Sequence, residues 1–213
     1  MTTLLLIRHG QSVSNLENYF TGAMDIPLTE LGQRQALVTA RYILSTYQVD
    51  GVYASDLCRA FETGKAVADP LGISLTPDSE LREIFAGKWE GMTFDRLAEQ
   101  FPETYRVWRT NIGLSHPDGG ESVAHLQERI LNAVTRIAKE NEGKTLVIAT
   151  HATPIRVLQC HCEGKPLDRM HEIPWVSNAS VTHVEYDGEQ LILRSVGYDA
   201  HLEGMTSQLP PNV

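Results

Sequence analysis

Leu4-Leu5-Leu6-Ile7, four consecutive aliphatics between polar Thr2-Thr3 and Gly10, constrains the fold more than any other stretch of the chain. A run this short and this apolar reads as a strand covered on both faces, which places it inside a parallel sheet flanked by helices. It ends by delivering Arg8 and His9 side by side as the chain leaves the core, with Gly10 behind them to permit a sharp turn. Taken alone, such a pair is as readily a polar cap as a functional site.

The rest of the chain repeats the theme. Thr29 reads as the N-cap of a helix with Leu31, Leu37, Ala40, Leu44 and Tyr47 along one face. Gly51–Ser55 is a short strand, and a helix from about Leu57 to Val67 follows, stopped by Asp69-Pro70-Leu71-Gly72, with Arg59 in its first turn. Ile73–Thr76 is a further strand. From Phe85 to Glu140 the periodicity is helical, with Phe94, Leu97, Ala98 and Phe101 in one stripe and Val123, Leu126, Ile130, Val134 and Ile137 in another. His116–Gly120 lies between them as a loop. Thr145–Thr150 is the second strongly apolar strand and ends in His151; Thr153 then reads as an N-cap with Pro154 at the first helical position and Gly164 as the stop. Ser180–Tyr186 and Gln190–Val196 form a hairpin, and the tail from Gly204, with Pro210-Pro211, reads as loose. Strands alternating with helices predict an α/β fold: a three-layer, doubly wound, mostly parallel sheet with helices on both faces. Residues 1–213 are expected to form one domain with a helical lobe inserted at about 85–140.

Net charge of −9 disfavours broad attachment to nucleic acid or to an anionic membrane surface, so an anionic ligand needs a local arginine cluster working against the global field. No apolar run approaches the ~20 residues that span a bilayer, and the first residues do not read as a secretory leader. Cys58, Cys160 and Cys162 have no disulfide or zinc-ribbon spacing, and the expected compartment is the reducing cytoplasm.

In a sheet of this kind ligands bind beyond the carboxyl ends of the strands. Arg8-His9, Arg59, Glu83 and His151 each follow a different strand, so all are able to reach one edge. Two arginines, two histidines and a carboxylate suit a phosphoryl group, because guanidinium forks match phosphate oxygens. Helix starts beside Asn15, Arg59 and Thr153 add backbone N–H donors. Two histidines and a glutamate also suit a metal triad, but two guanidinium charges would repel the cation. Cys160-His161-Cys162 on a helix points its side chains in different directions and reads as packing or surface.

Leu6-Ile7-Arg8-His9-Gly10 with Ser12 and Asn15 resembles the signature of the histidine phosphatase superfamily, the phosphoglycerate-mutase-like proteins. Thr21-Gly22, Pro27–Gly32, Ala54–Ala60 with Thr63, Leu81–Ile84 with Gly87 and Trp89-Glu90-Gly91, Gly119–Ser122, Arg129, His151 and Asn178-Ala179-Ser180 continue the likeness in order along nearly the whole chain. The resemblance implies a metal-independent phosphatase without a cofactor, acting on a small phosphorylated metabolite. It implies His9 as the nucleophile that becomes phosphohistidine, with Arg8, Arg59 and His151 holding the phosphoryl oxygens and Glu83 giving the proton. Asn15 and the Ala152 backbone would add phosphate contacts, and Thr21 and Gly22 would touch the remainder of the substrate. The compact Glu83–His151 interval is phosphatase-like; a mutase of the same family and a non-catalytic phospho-ligand sensor are the alternatives. Two positions depart from the family pattern. Gln11 stands where many relatives carry glutamate, and Ala152 stands where glycine is usual, which is costly only if that residue needs a positive φ. The lobe offers Phe85, Trp89, Phe94, Arg96, Tyr105, Trp108, Arg109 and His116 for specificity, and a homodimer is open.

Overall fold

The computed structural model describes residues 1–207; Pro210-Pro211 lie outside the described residues. Six strands form one sheet in the order β3-β2-β4-β1-β5-β6: β1 (Thr2–Arg8), β2 (Gly51–Ala54), β3 (Leu75–Pro77), β4 (Thr145–Thr150), β5 (Val181–Tyr186) and β6 (Leu191–Tyr198). β1, β2, β3 and β4 pair in parallel, whereas β5 runs antiparallel to both β1 and β6. The two strongest aliphatic runs, β1 and β4, lie side by side at the centre, with Leu6 opposite Ile148 and Arg8 opposite Thr150.

Alternation along β1 sorts its side chains between two cores. Leu4 and Leu6 join the larger one, with Leu126, Ile130 and Val134 of α6 (Val123–Glu140) and Ile155 and Leu158 of α7 (Ala152–Cys162). Leu5 and Ile7 join the smaller, under α2 (Glu30–Thr46) and α3 (Cys58–Leu71). All four side chains are at most 1% exposed, and burial of that kind contributes ~1.5–3 kcal/mol each. This is the expected three-layer arrangement.

Several local expectations are corrected. α3 runs through Pro70 to Leu71, because the proline falls in the last turn and Gly72, left-handed, closes the helix after it. β3 is shorter than expected and begins later, at Leu75. The first lobe stripe falls on α4 (Phe94–Gln100), which breaks at Phe101-Pro102 before α5 (Pro102–Thr110), and a short α1 (Val13–Glu17) follows β1. In α4, Leu97 is buried but Ala98 is exposed. α7 starts two residues earlier than Thr153 predicts: His151 is its extended N-cap, so strand passes to helix with no loop between. The described start of the tail is anchored, since Gln35 Nε2 donates to the Met205 carbonyl at 2.6 Å and contacts Ser207 Oγ at 3.0 Å.

The inner face of α2 departs most from its pattern. Leu37 is half exposed, while Gly32, Gln35, Ala36, Thr39, Ala40 and Ile43 face inward. A Cβ on Gly10 would stand 2.3 Å from the Gly32 oxygen, and one on Gly32 would stand 2.0 Å from the Gln11 oxygen. The two glycines let α2 press directly on the loop leaving β1. Gln35 Oε1 accepts the Gln11 N–H at 2.8 Å and so fastens that loop, while Thr39 Oγ1 donates to the Ala179 carbonyl at 2.8 Å in the turn before β5. Gly32→Ala is therefore expected to cost ~1–3 kcal/mol or more in urea unfolding; an unchanged midpoint would show that the loop and helix are not locked together.

Candidate active site

β1 and β4 end together, and beyond the end of β1 lies a cavity of about 100 Å³. Arg8, His9, Arg59, Glu83, Asn15 and Ala152 all line it, and Thr21 and Gly22 form part of its rim. His151 stands directly behind, its ring centroid 5.1 Å from that of His9. Five side chains delivered by four separate segments thus meet at one strand edge.

The His9 backbone is fixed by its N–H donating to the Thr150 carbonyl at 2.9 Å and by Asn178 Nδ2 donating to its oxygen at 3.0 Å. The adjacent Ala179, held at φ +58°, donates its N–H to the Arg8 carbonyl at 2.9 Å. His9 Nδ1 lies 2.7 Å from the Gly10 carbonyl. A carbonyl only accepts, so Nδ1 carries the proton and Nε2 keeps its lone pair. His151 Nε2 lies 2.8 Å from Ser55 Oγ, and the buried Nδ1 has no partner among the described residues. That nitrogen is the end of the ring left without a protein partner.

Arg8 and Arg59 are buried without a carboxylate in hydrogen-bond contact. Arg8 Nη1 donates to the Val176 carbonyl at 2.6 Å; Arg59 donates to the Met24 carbonyl at 2.7 Å and the Gly22 carbonyl at 2.9 Å. Burial pulls the Arg8 pKa down to about 10, opposed by Glu83 and aided by Arg59, and burial lowers that of Arg59 as well. Both histidines titrate well below 6.5, chiefly through burial, with the Arg59 charge next. Glu83 accepts the Ile84 N–H at 2.8 Å and the Thr153 N–H at 3.2 Å, the latter from the first turn of α7. Asn15 Oδ1 is taken by the Ser12 N–H at 3.1 Å, the Ser12 hydroxyl and Asn178, so its amide nitrogen is the end left for a ligand. Ala152 is the first residue of α7 and does not have a positive φ, so alanine fits there without strain. The Gln11 side chain accepts from Thr29 Oγ1 at 2.8 Å, within the polar network below the site. A buried pocket lined by two guanidinium groups, with one free imidazole lone pair and one carboxyl group, can take up a phosphoryl group and move a proton beside it.

The lobe residues divide. Phe94 and Trp108 reach the cavity, but Trp89 is fully buried in an aromatic cluster with Phe20 and Tyr105, and Phe85 is half exposed on the far side of Glu83. His116 bonds the Gly120 carbonyl at 3.1 Å and does not line the cavity, nor do Arg96, Tyr105 or Arg109. Ser14, Tyr19, Phe20, Ile84 and Trp175 line it instead, unforeseen in the sequence reading. Only Trp175, in a Pro-Trp loop without periodicity, gave no positional signal; the others flank residues already singled out. Among the described residues no three His, Cys, Asp or Glu side chains converge as a metal-holding group. Cys160 is buried, with its thiol on the Lys165 carbonyl, and His161 is exposed.

Residues 4–199 match the model of the histidine phosphatase superfamily, branch 1. Phosphoglycerate mutase-like protein 4 of Arabidopsis thaliana is 30% identical over 203 residues, 94% of this chain and 86% of its own. The solved structure of Bacillus stearothermophilus YhfR gives a TM-score of 0.90 at 33% identity, over 95% of this chain and 100% of that one. A phosphoserine phosphatase mutant from Entamoeba histolytica, in complex with phosphoserine, gives 0.83 at 27% identity over 95% of this chain and 100% of its own.

The lowered histidine pKa values couple folding to pH. Unfolded, both imidazoles take up a proton near pH 6.5, which the folded site resists, so their contribution to stability is complete above that pH and is lost as pH falls through it. His183 and His201, also lowered by burial, act in the same direction. The thermal midpoint is expected to fall from about pH 7.5 to about pH 5. The double variant His9→Asn, His151→Asn is expected to show a smaller fall; a parent curve that is flat over this range would contradict the assignment.

Proposed function

The chain belongs to the histidine phosphatase superfamily, branch 1, and from that premise we propose that it hydrolyses small phosphomonoesters without a metal, through a phosphohistidine on His9. The observation that carries this reading is the His9 Nδ1 contact to the Gly10 carbonyl, which leaves Nε2 unprotonated between two buried guanidinium groups. The lowered pKa keeps that nitrogen neutral without help from a general base.

In the first step the Nε2 lone pair forms a bond to phosphorus as the bond from phosphorus to the ester oxygen breaks. Glu83, protonated, passes its proton to that oxygen and the alcohol leaves. Charge on the three equatorial oxygens meets Arg8, Arg59, the His151 Nδ1–H, the Asn15 amide and the N–H groups at the start of α7. Each well-placed donor is worth ~3–4 kcal/mol in such a site. In the second step water attacks phosphorus, the N–P bond breaks, and Glu83, now a carboxylate, takes the water proton. Two guanidinium charges at the phosphoryl position supply the positive field that a divalent cation would otherwise bring, and they repel one. Thr21 and Gly22 flank the leaving group.

Release of p-nitrophenol from its phosphate ester in the presence of EDTA tests the reading. Turnover unaffected by the chelator is expected, and its loss with His9→Ala should be on the order of 10³-fold or more. Binding without turnover would make the protein a phospho-ligand sensor, and transfer between the positions of phosphoglycerate would make it a mutase. Glu83→Gln is expected to slow alkyl phosphates ~10²–10⁴-fold and aryl phosphates much less, because phenolate leaves without a proton; equal losses on both would remove Glu83 from the acid role.

A further inference from the structure

Arg156 is the third arginine of the molecule buried on backbone carbonyls instead of acids. Its Nε donates to the Ile173 carbonyl at 2.7 Å and its Nη2 to the Met170 carbonyl at 3.1 Å, while the Trp175 ring lies 4.3 Å below the guanidinium carbon. Nη1 has no partner among the described residues. Arg82, Arg129, Arg136 and Arg194, by contrast, pair with Asp56, Glu121, Asp78 and Glu185. The Arg156 residue is 6% exposed, burial pulls its pKa down to about 10, and among the described residues no acidic side chain lies near enough to offset this. Carbonyl dipoles solvate such a charge but do not neutralise it. In the catalytic cavity the same device, at Arg8 and Arg59, holds positive charge ready for an anion.

Arg156 borders a separate cavity of about 280 Å³, together with Arg109 and His171. Trp108 and Trp175 line both this cavity and the catalytic one. On α7 Arg156 lies three and four residues beyond Thr153 and Ala152, which line the catalytic cavity, so it sits one helical turn along the same face, with Cβ atoms ~5–6 Å apart. Two guanidinium-lined hollows therefore share a wall of two indoles.

Resting on the phosphatase reading above, we infer that this second cavity is an anion subsite: the physiological ester carries a second anionic group, carboxylate or phosphate, which Arg156 binds past the Trp108–Trp175 wall while its phosphoryl group faces His9. The carbon skeleton between the two groups lies against the indoles, and His171 adds donor character at the rim.

The test compares propyl phosphate with its ω-carboxylated and ω-phosphorylated counterparts on the intact protein. For the wild type, kcat/KM is expected to be about 10-fold or more higher for the dianionic-plus-anionic esters, carried mainly by KM, the size expected of one charge-assisted contact. In Arg156→Gln that ratio should collapse towards one, whereas His171→Gln should reduce it only partly. The wild-type ratio alone is decisive even if the Arg156 variant folds poorly: equal kcat/KM for the three esters overturns the subsite. Sulfate accelerating propyl phosphate in the wild type, without discrimination among the esters, would assign the cavity to a free anion and equally overturn the inference. Hydrolysis of propyl phosphate reports the phosphatase reading by itself, so failure of the subsite with that ester still turned over is distinguishable from failure of the chemistry.

Discussion

Everything at the carboxyl edge of the sheet depends on keeping guanidinium charge buried yet uncommitted. A buried arginine normally demands a carboxylate, and that pairing would consume the charge a phosphoryl group needs. Here Arg8 rests on the Val176 carbonyl and Arg59 on those of Met24 and Gly22, so the cations are held in place by dipoles and their charge is left over. The consequence reaches both histidines. Buried and with two cations beside them, His9 and His151 are held neutral, which leaves the His9 Nε2 lone pair and the unpartnered His151 Nδ1 open to a ligand. A chain with a net charge of −9 thus maintains a positive hollow at one point of its surface.

Geometry is enforced from outside the cavity. The Gly10–Gly32 backbone contact presses α2 onto the loop carrying His9, and the left-handed Ala179 ties the end of β1 from the opposite side. His151 directly follows the last residue of β4 and is the N-cap of α7, so its backbone is held between the two elements. Arg129, bonded bidentately to Glu121, also donates to the Glu80 and Arg82 carbonyls and so braces the segment that presents Glu83. Precision of this kind is what the transfer of a phosphoryl group between two fixed atoms requires.

Much of this was legible in the residues themselves. The aliphatic runs of β1 and β4 were unambiguous because both are buried on two faces, and their terminal Arg8, His9 and His151 needed only the parallel-sheet rule to be brought together. The α6 stripe was equally plain, since that helix packs on a single apolar face. The inner face of α2 was misread because proximity to a polar loop, and not apolar burial, selects Gly32, Gln35 and Thr39 there. The start of α7 was misplaced because Thr153 looks like a better cap than His151, yet its N–H is the one given to Glu83. Lobe aromatics could not be divided between wall and core from periodicity, as Trp89 and Trp108 lie in one cluster but only Trp108 reaches the cavity.

The central claim, that an unprotonated His9 Nε2 accepts the phosphoryl group, is tested most directly by locating phosphorus on the enzyme. Rapid quenching of the protein with labelled substrate, followed by phosphorus and nitrogen NMR of the isolated peptide, identifies the bonded atom. The account predicts a phosphoramidate on Nε2 of His9, stable to alkali and labile to acid. Phosphorus found on Nδ1, on His151 or on the Glu83 carboxylate would contradict it.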